Sequence, residues 1–473
     1  MTKQGDHTII STKNTFMKSI KATILSLLFA TVFLGSTYAQ TLQMEVLREI
    51  GAAASAERIE ADITTLVEFG TRHTLSDTTS DTRGIGAARR WIKAEFERIS
   101  ADCGGCLEVF YVSDVIEGTR RIPEPTNVVN VVAIQRGTAD PNRFVMMSGD
   151  IDSRVSDALD GESESPGAND NASGVAGAIE AARVLTNYEF EGSIMYAALS
   201  GEEQGLFGGQ ILAEYMKEND MDLKGVLNND MIGNIQGINQ VIDNTTARVF
   251  SEGTRAVETE REGNIRRYTG GEVDSPSRNL ARYVDKMADD YIRNLDVMMI
   301  YRLDRFGRGG HHRPFNAAGF PGVRIMETNE DYNRQHQDLR TEDGVEYGDV
   351  LDEVEFDFAA KLTGLNAVVM AGMSWAPSPP AEVEIEGAVR PSTTLKWKAL
   401  DAEQNPQLAG YKIYWRLTDA NQWQKSVFVP ADATEHTLEN VVIDNYYFGV
   451  ASVSKDGFES PVVFPGPNGS FGD

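Results

Sequence analysis

At 473 residues, with 71 acidic against 44 basic side chains and a net charge of −27, the chain is long enough for two or three domains and carries a strongly anionic surface. That charge excludes nucleic acid as a natural partner, and a hydrophobic content of 41% excludes a disordered chain.

Lys18 and Lys21 precede the apolar run Ala22–Gly35, and Thr37-Tyr-Ala39 follows it with a small residue at each end. The run is short for a bilayer crossing and suits the core of a signal peptide over residues 1–39, with Met17 as an alternative start. The expected location is therefore secreted or periplasmic. The only cysteines, Cys103 and Cys106, are three apart with no second pair to complete a zinc site, so the expectation is a small structural disulfide formed after export.

Three-to-four apolar spacing predicts helix over Met44–Leu66 and again over Asp81–Ile99. Short β-branched runs follow at Leu107–Val112, Val128–Ile134 and Arg143–Ser148. Next come a helix at Ala176–Leu185, a strand at Ser193–Leu199, a helix at Gly208–Lys217 and a strand at Gly225–Asn229. The polar, turn-rich stretch Asn234–Val273 reads as a surface excursion. A helix at Ser277–Leu295, strands at Val297–Tyr301 and Gly322–Glu327, and a closing helix at Glu353–Ala371 complete an α/β domain, 40–375, whose sheet should be mixed, largely parallel and flanked by helices.

Ala376-Pro-Ser-Pro-Pro380 reads as a stiff linker, assigned to 376–381. The remainder, 382–467, alternates in short strands such as Leu395–Trp397, Gly410–Trp415 and Tyr446–Val453. About seven strands suit an all-β sandwich resembling a fibronectin type III module, with Trp397 and Tyr447 as core aromatics. Contact with a cell surface or polymer is one role for such a module, and a plain spacer is another.

Four acidic motifs fall in the loops that follow strands of the first domain. They are Ser148-Gly-Asp-Ile-Asp-Ser153, Gly167-Ala-Asn-Asp-Asn-Ala-Ser-Gly174, Ser200-Gly-Glu-Glu-Gln-Gly205 and Asn228-Asn-Asp-Met-Ile-Gly233. Alone, Asp170 reads as a helix N-cap and Glu202-Glu203 as a solvated acidic turn. Four in succession at the carboxyl ends of strands, followed by histidines, point to a convergent metal site.

In order and approximate spacing these motifs resemble the zinc aminopeptidase family, which also includes glutamate carboxypeptidases, transferrin-receptor ectodomains and glutaminyl cyclases; the resemblance spans about residues 50–372. It implies an exported metal-dependent exopeptidase, most simply an aminopeptidase acting on peptides. Asp170 would bridge two zinc ions, Glu203 and His336 would hold one, and Asp150 and Asp230 the other. Glu202 would be the general base, Asp152 a support behind the ligands, and His311 and His312 supports or substrate contacts. The family's usual first ligand is a histidine where this chain has Asp150, so the first site would be all-carboxylate, with a preference shifted toward Mn, Mg or Ca, or with one zinc only. Arg308, His311 and Tyr332 are the candidates for stabilising an oxyanion. The alternatives are a glutaminyl-cyclase-like acyl transfer on one zinc, and a non-catalytic binding protein on a degenerate peptidase fold.

Overall fold

The computed structural model describes residues 43–472, so the expected leader lies outside the described residues. A helix over residues 43–52 (α1) is followed by α2 (Ala56–Glu68), where Ser55 caps the first turn by accepting from the Arg58 N–H at 3.3 Å. Helix α2 buries Ile59, Ile63 and Leu66 on one stripe; α3 (Gly84–Asp102) does the same with Ile85, Ala88, Ile92, Phe96 and Ile99. Beyond α3, Cys103 and Cys106 are paired as a disulfide.

Next come β1 (Leu107–Ile116), β2 (Thr126–Gln135), β3 (Asp140–Asp150), α4 (Ser173–Leu185), β4 (Gly192–Leu199), the single turn α5 (Glu202–Gly205), α6 (Phe207–Glu218) and β5 (Asp222–Asn229). The chain continues through β6 (Thr246–Ser251), α7 (Glu260–Thr269), α8 (Pro276–Tyr291), β7 (Asp296–Ile300), α9 (His312–Ala318) and β8 (Gly322–Glu327). A small hairpin, β9 (Arg340–Glu342) with β10 (Val345–Tyr347), precedes α10 (Phe356–Trp375).

Eight strands form one sheet in the order β1-β2-β4-β3-β5-β8-β6-β7. Its centre, β4-β3-β5-β8, is parallel; β1, β2 and the β8–β6 pairing are antiparallel. With β6–β7 also parallel, four of the seven pairings are parallel, and the sheet is mixed with a parallel majority as the sequence suggests. Both faces are covered. On β3, Val145 and Met147 pack into one core, and Phe144 and Met146 into the other, against α6 and Phe315 of α9.

The expected surface excursion Asn234–Val273 is corrected at its middle, where β6 sits inside the sheet between β8 and β7. Ala247 and Val249 reach the core, and Arg248 escapes it by reaching Glu330 at 2.7 Å. Six residues with an arginine among them carry too weak an alternation to stand out from polar flanks.

The C-terminal strands β11 (Ala381–Glu386), β12 (Thr393–Lys398), β13 (Leu408–Leu417), β14 (Lys425–Pro430), β15 (Glu435–Leu438) and β16 (Tyr446–Ser454) form two antiparallel three-stranded sheets, β11-β12-β15 and β14-β13-β16. Six strands thus form among the described residues, not seven. Leu395 and Trp397 of one sheet meet Tyr411, Ile413, Phe448 and Val450 of the other. Tyr447 does not join this core, because alternation turns it outward beside Phe448, onto Phe464 and beneath the Arg416 guanidinium.

Nor does the proline-rich segment act as a free spacer. Ala376, Pro377 and Pro380 are buried, and Trp375 lies between Phe190 and Phe458 with ring centroids at 4.7 and 4.8 Å. Asp274, fully buried, accepts from Arg282 of α8 at 2.9 Å and from Arg416 of β13 at 2.8 Å. The sandwich is clasped to the α/β domain. Asp274→Ala would leave two buried guanidinium groups without their anion, and a loss of about 3–5 kcal/mol in urea unfolding is expected; a change below about 1 kcal/mol would show the clasp to be dispensable.

Candidate metal centre

The site forms where the parallel centre of the sheet ends. Asp150 closes β3, Glu202 and Glu203 open α5 just beyond β4, and Asp230 follows β5. The motif Gly167–Gly174 turns the chain into α4 beneath them. Gly167 has φ +52°, and a Cβ there would lie 2.4 Å from the Ser153 Cβ. A Cβ on Gly174 would lie 2.3 Å from the Asn229 carbonyl oxygen. Only glycine lets the start of α4 approach β3 and β5 this closely.

Within the turn, Asn171 acts as a hub. Its amide donates to Asp150 Oδ2 at 2.7 Å and to the Asn229 carbonyl at 2.8 Å, and its oxygen accepts from the Gly174 and Met231 N–H groups at 3.0 and 3.2 Å. Asp349, from beyond β10, accepts from the backbone N–H of Asn169 at 2.9 Å and of Asp170 at 2.6 Å. These contacts leave the Asp170 side chain aimed out of the turn.

There it meets two other donors. His336 Nε2 lies 2.7 Å from Glu203 Oε1 and 3.1 Å from Asp170 Oδ2. Among the described residues, Asp170, Glu203 and His336 form a set able to share one ion, each offering a ligand atom within 4.8 Å of the others. Burial alone would push His336 down, but Glu203 and Asp170 together carry it up to about 9. Against burial, His336 in turn holds Asp170 well below the usual carboxylate range. A proton on the imidazole balances the two carboxylates where a divalent cation would.

Asp152 lies behind this set. It accepts from the Glu202 and Glu203 N–H groups at 3.2 and 3.0 Å and from the Thr74 hydroxyl at 3.1 Å, anchoring the first turn of α5. Glu202 is only partly buried and lines a cavity of about 1090 Å³ together with Asp170, Glu203, Asp230 and His336. Burial and the neighbouring carboxylates raise its pKa well above the ordinary value. His336, Leu206 just past α5 and Met231 just past Asp230 all have positive φ, at 51°, 64° and 65°. Non-glycine residues rarely adopt this conformation, and here all three sit at the corners that aim the acidic side chains.

Asp150 and Asp230 are engaged elsewhere. Asp150 is hydrogen-bonded to His311 Nδ1 as well as to Asn171, and burial pushes its carboxyl up to about 8. Asp230 Oδ2 lies 2.8 Å from Nη2 of Arg324, a fully buried residue of β8; the N–H bonds are not aligned for a hydrogen bond, so the contact is ionic. Arg324 Nη1 also donates to Asp304 at 3.1 Å and to the Gly309 carbonyl at 2.5 Å.

His311 and His312 are fully buried and line none of the cavity, so of the two roles expected for them a support fits and a substrate contact does not. Pro314 and Phe315 draw α9 into the core and carry both rings with it; His312 Nε2 donates to the Leu303 carbonyl at 2.8 Å. Of the oxyanion candidates, Arg308 lines the cavity and Tyr332 does not. Sequence reasoning gave no role to Asn171, Asp349, Arg324 or Asp304. Arg324 alone left a signal, as a charge inside the otherwise apolar strand Val323-Arg-Ile-Met326.

Residues 130–351 match peptidase family M28. A probable zinc metalloprotease of Leptosphaeria maculans is 43% identical over 414 residues, covering 87% of this chain and 95% of its own. Another, from Pyrenophora teres f. teres, is 41% identical over 424 residues, covering 89% and 87%. Among solved structures, LapA of Legionella pneumophila aligns with a TM-score of 0.52 at 19% identity, over 70% of this chain and 76% of its own, which is a likeness of fold. The identity to the two fungal relatives extends over nearly their whole length, and the chain belongs to peptidase family M28.

Proposed function

We propose that the chain is an exported zinc-dependent exopeptidase, an aminopeptidase, with one ion held by Asp170, Glu203 and His336 and with Glu202 as general base. The observation that carries this reading is the convergence of those three donors beside an open cavity into which Glu202 faces. The donor set fits the ion: two carboxylates and a neutral imidazole carry a formal charge of −2 and offer the nitrogen and oxygen ligands zinc accepts. Once bound, the ion supplies the positive charge that acidifies a water and polarises a scissile carbonyl.

The chain's own residues do the rest. Glu202, beside the ligand Glu203 but not part of the triad, takes the proton of the attacking water and hands it to the departing amine. Asp152 keeps Glu202 and Glu203 in register by holding both backbone N–H groups. Removal of N-terminal residues rests on the resemblance of the motifs to zinc aminopeptidases. Export rests on the leader-like residues 1–39 and the Cys103–Cys106 disulfide. No helix of the described residues is long and apolar enough to cross a membrane. The two C-terminal sheets suit a fibronectin type III-like sandwich, and their clasp on α8 supports a bracing role over adhesion.

The surroundings of Asp150 and Asp230 support one ion over two. Asp230 already faces the Arg324 guanidinium, and Asp150 is taken up by His311 and Asn171. Arg324 then stands as a built-in cation where a two-ion site would place metal charge. A one-ion centre keeps the glutaminyl-cyclase-like alternative in play; pyroglutamate formed from an N-terminal Gln peptide, with no amino acid released, would select it.

Elemental mass spectrometry of purified protein should find one divalent ion per chain; two would return Asp150 and Asp230 to the ligand set. Glu202→Gln should retain that ion yet lose about 10²–10⁴-fold in kcat, and normal turnover by this variant would remove Glu202 as the base. Asp152→Ala should weaken metal binding or activity by about 10–100-fold, read by competition with a chelator and by kcat.

A further inference from the structure

The cavity beside the metal centre is lined by six arginines, Arg121, Arg154, Arg302, Arg305, Arg308 and Arg313. In a chain of net charge −27 with only 44 basic residues, such a gathering is not expected from composition. Two of the six have carboxylate partners: Arg305 meets Glu330 at 2.5 Å, and Arg154 lies 3.6 Å from Glu203 Oε2. Arg121, Arg302, Arg308 and Arg313 form no ion pair among the described residues. Arg302 and Arg313 are exposed, and solvation suffices for them.

Arg121 and Arg308 are different. Both are partly buried, and both are oriented by neutral oxygens at the metal centre. Arg121 Nη1 donates to the backbone carbonyl of the ligand Glu203, and Arg308 Nη2 donates to the Gln335 side chain at 3.3 Å, one residue before the ligand His336. Each guanidinium is therefore held beside the reacting centre with donors left over and, among the described residues, no ion pair of its own. Partial desolvation of an unmatched guanidinium is costly, and a ligand carboxylate gripped by its planar fork offsets that cost. The anionic surface repels such a ligand at long range, so only a local concentration of guanidinium groups can hold it.

We propose that Arg121 and Arg308 select peptide substrates that carry a carboxylate next to the scissile bond, supplied either by an acidic side chain or by the C-terminus of a short peptide. This rests on the metallopeptidase reading above and adds a substrate class to it.

The test uses the zinc-loaded full chain and two isosteric pairs. One compares aspartyl with asparaginyl aminomethylcoumarin; the other compares Leu-Ala with its C-terminal amide. A kcat/KM advantage of about ten-fold or more for the carboxylate member of either pair is expected, and the pair that shows it names the source. Arg121→Gln and Arg308→Gln should each bring that ratio down toward one, chiefly through KM, while Arg308→Lys keeps part of it. A purely structural role for either arginine would lower both members of a pair together and leave the ratio unchanged. Ratios near one in both pairs, or ratios that survive both Gln variants, would overturn the proposal while leaving the metallopeptidase reading intact. If the zinc-loaded chain cleaves no member of either pair, the metallopeptidase reading falls and this proposal with it.

Discussion

Mutual repulsion among buried carboxylates governs this structure. Asp150, Asp152, Asp170, Glu203 and Asp230 converge at one end of the sheet's parallel centre, nearly or fully out of water, where like charges cannot coexist unmatched. Each is answered by something specific. Asp152 is answered by the N–H groups that open α5, Asp150 by His311 and Asn171, Asp230 by Arg324, and Asp170 with Glu203 by His336. Two of these answers are imidazoles, but burial pushes His311 down to about 4, whereas Glu203 and Asp170 carry His336 up to about 9, and that asymmetry separates the metal site from the rest.

The close packing around this cluster is a backbone matter. A Cβ on Gly149 would lie 2.2 Å from the Gly174 carbonyl carbon, so β3 and the first turn of α4 touch main chain to main chain. Nothing larger would let Asn171 reach Asp150 and the Asn229 carbonyl together. The turn that looks like an ordinary helix cap is a device for stacking three loop ends within hydrogen-bonding distance, and the aim of Asp170 follows from it.

The sheet's centre was legible in the sequence because β3 and β4 carry apolar runs buried on both faces and β3, β4 and β5 each lead into an acidic motif. What escaped notice has physical reasons. β6 is six residues long with an arginine in its middle, and its strand character comes from its neighbours β7 and β8. Asp349 and Asp304 act through contacts made far along the chain, which no local pattern records. Arg324 did interrupt an apolar strand, but its meaning depended on Asp230 lying opposite, a fact of pairing between β5 and β8. The proline-rich segment reads as a stiff linker from its composition, whereas its packing depends on Phe190 and Phe458 flanking Trp375.

A separate contact between the sandwich and the α/β domain lies close to the cavity. Tyr301, the residue after β7, begins the loop that carries Arg302, Arg305 and Arg308. Its ring lies 4.3 Å from the Arg278 guanidinium carbon, and its hydroxyl accepts from Arg282 at 3.2 Å and lies 3.4 Å from the Asn421 carbonyl of the sandwich. Arg282 itself donates to that same carbonyl at 2.7 Å and to Asp274, which holds Arg416. The root of the arginine loop is thus fixed by the contact between the two parts of the chain. The buried pair between Arg416 and Asp274 thus lies two side-chain contacts, through Arg282 and Tyr301, from the start of the arginine loop.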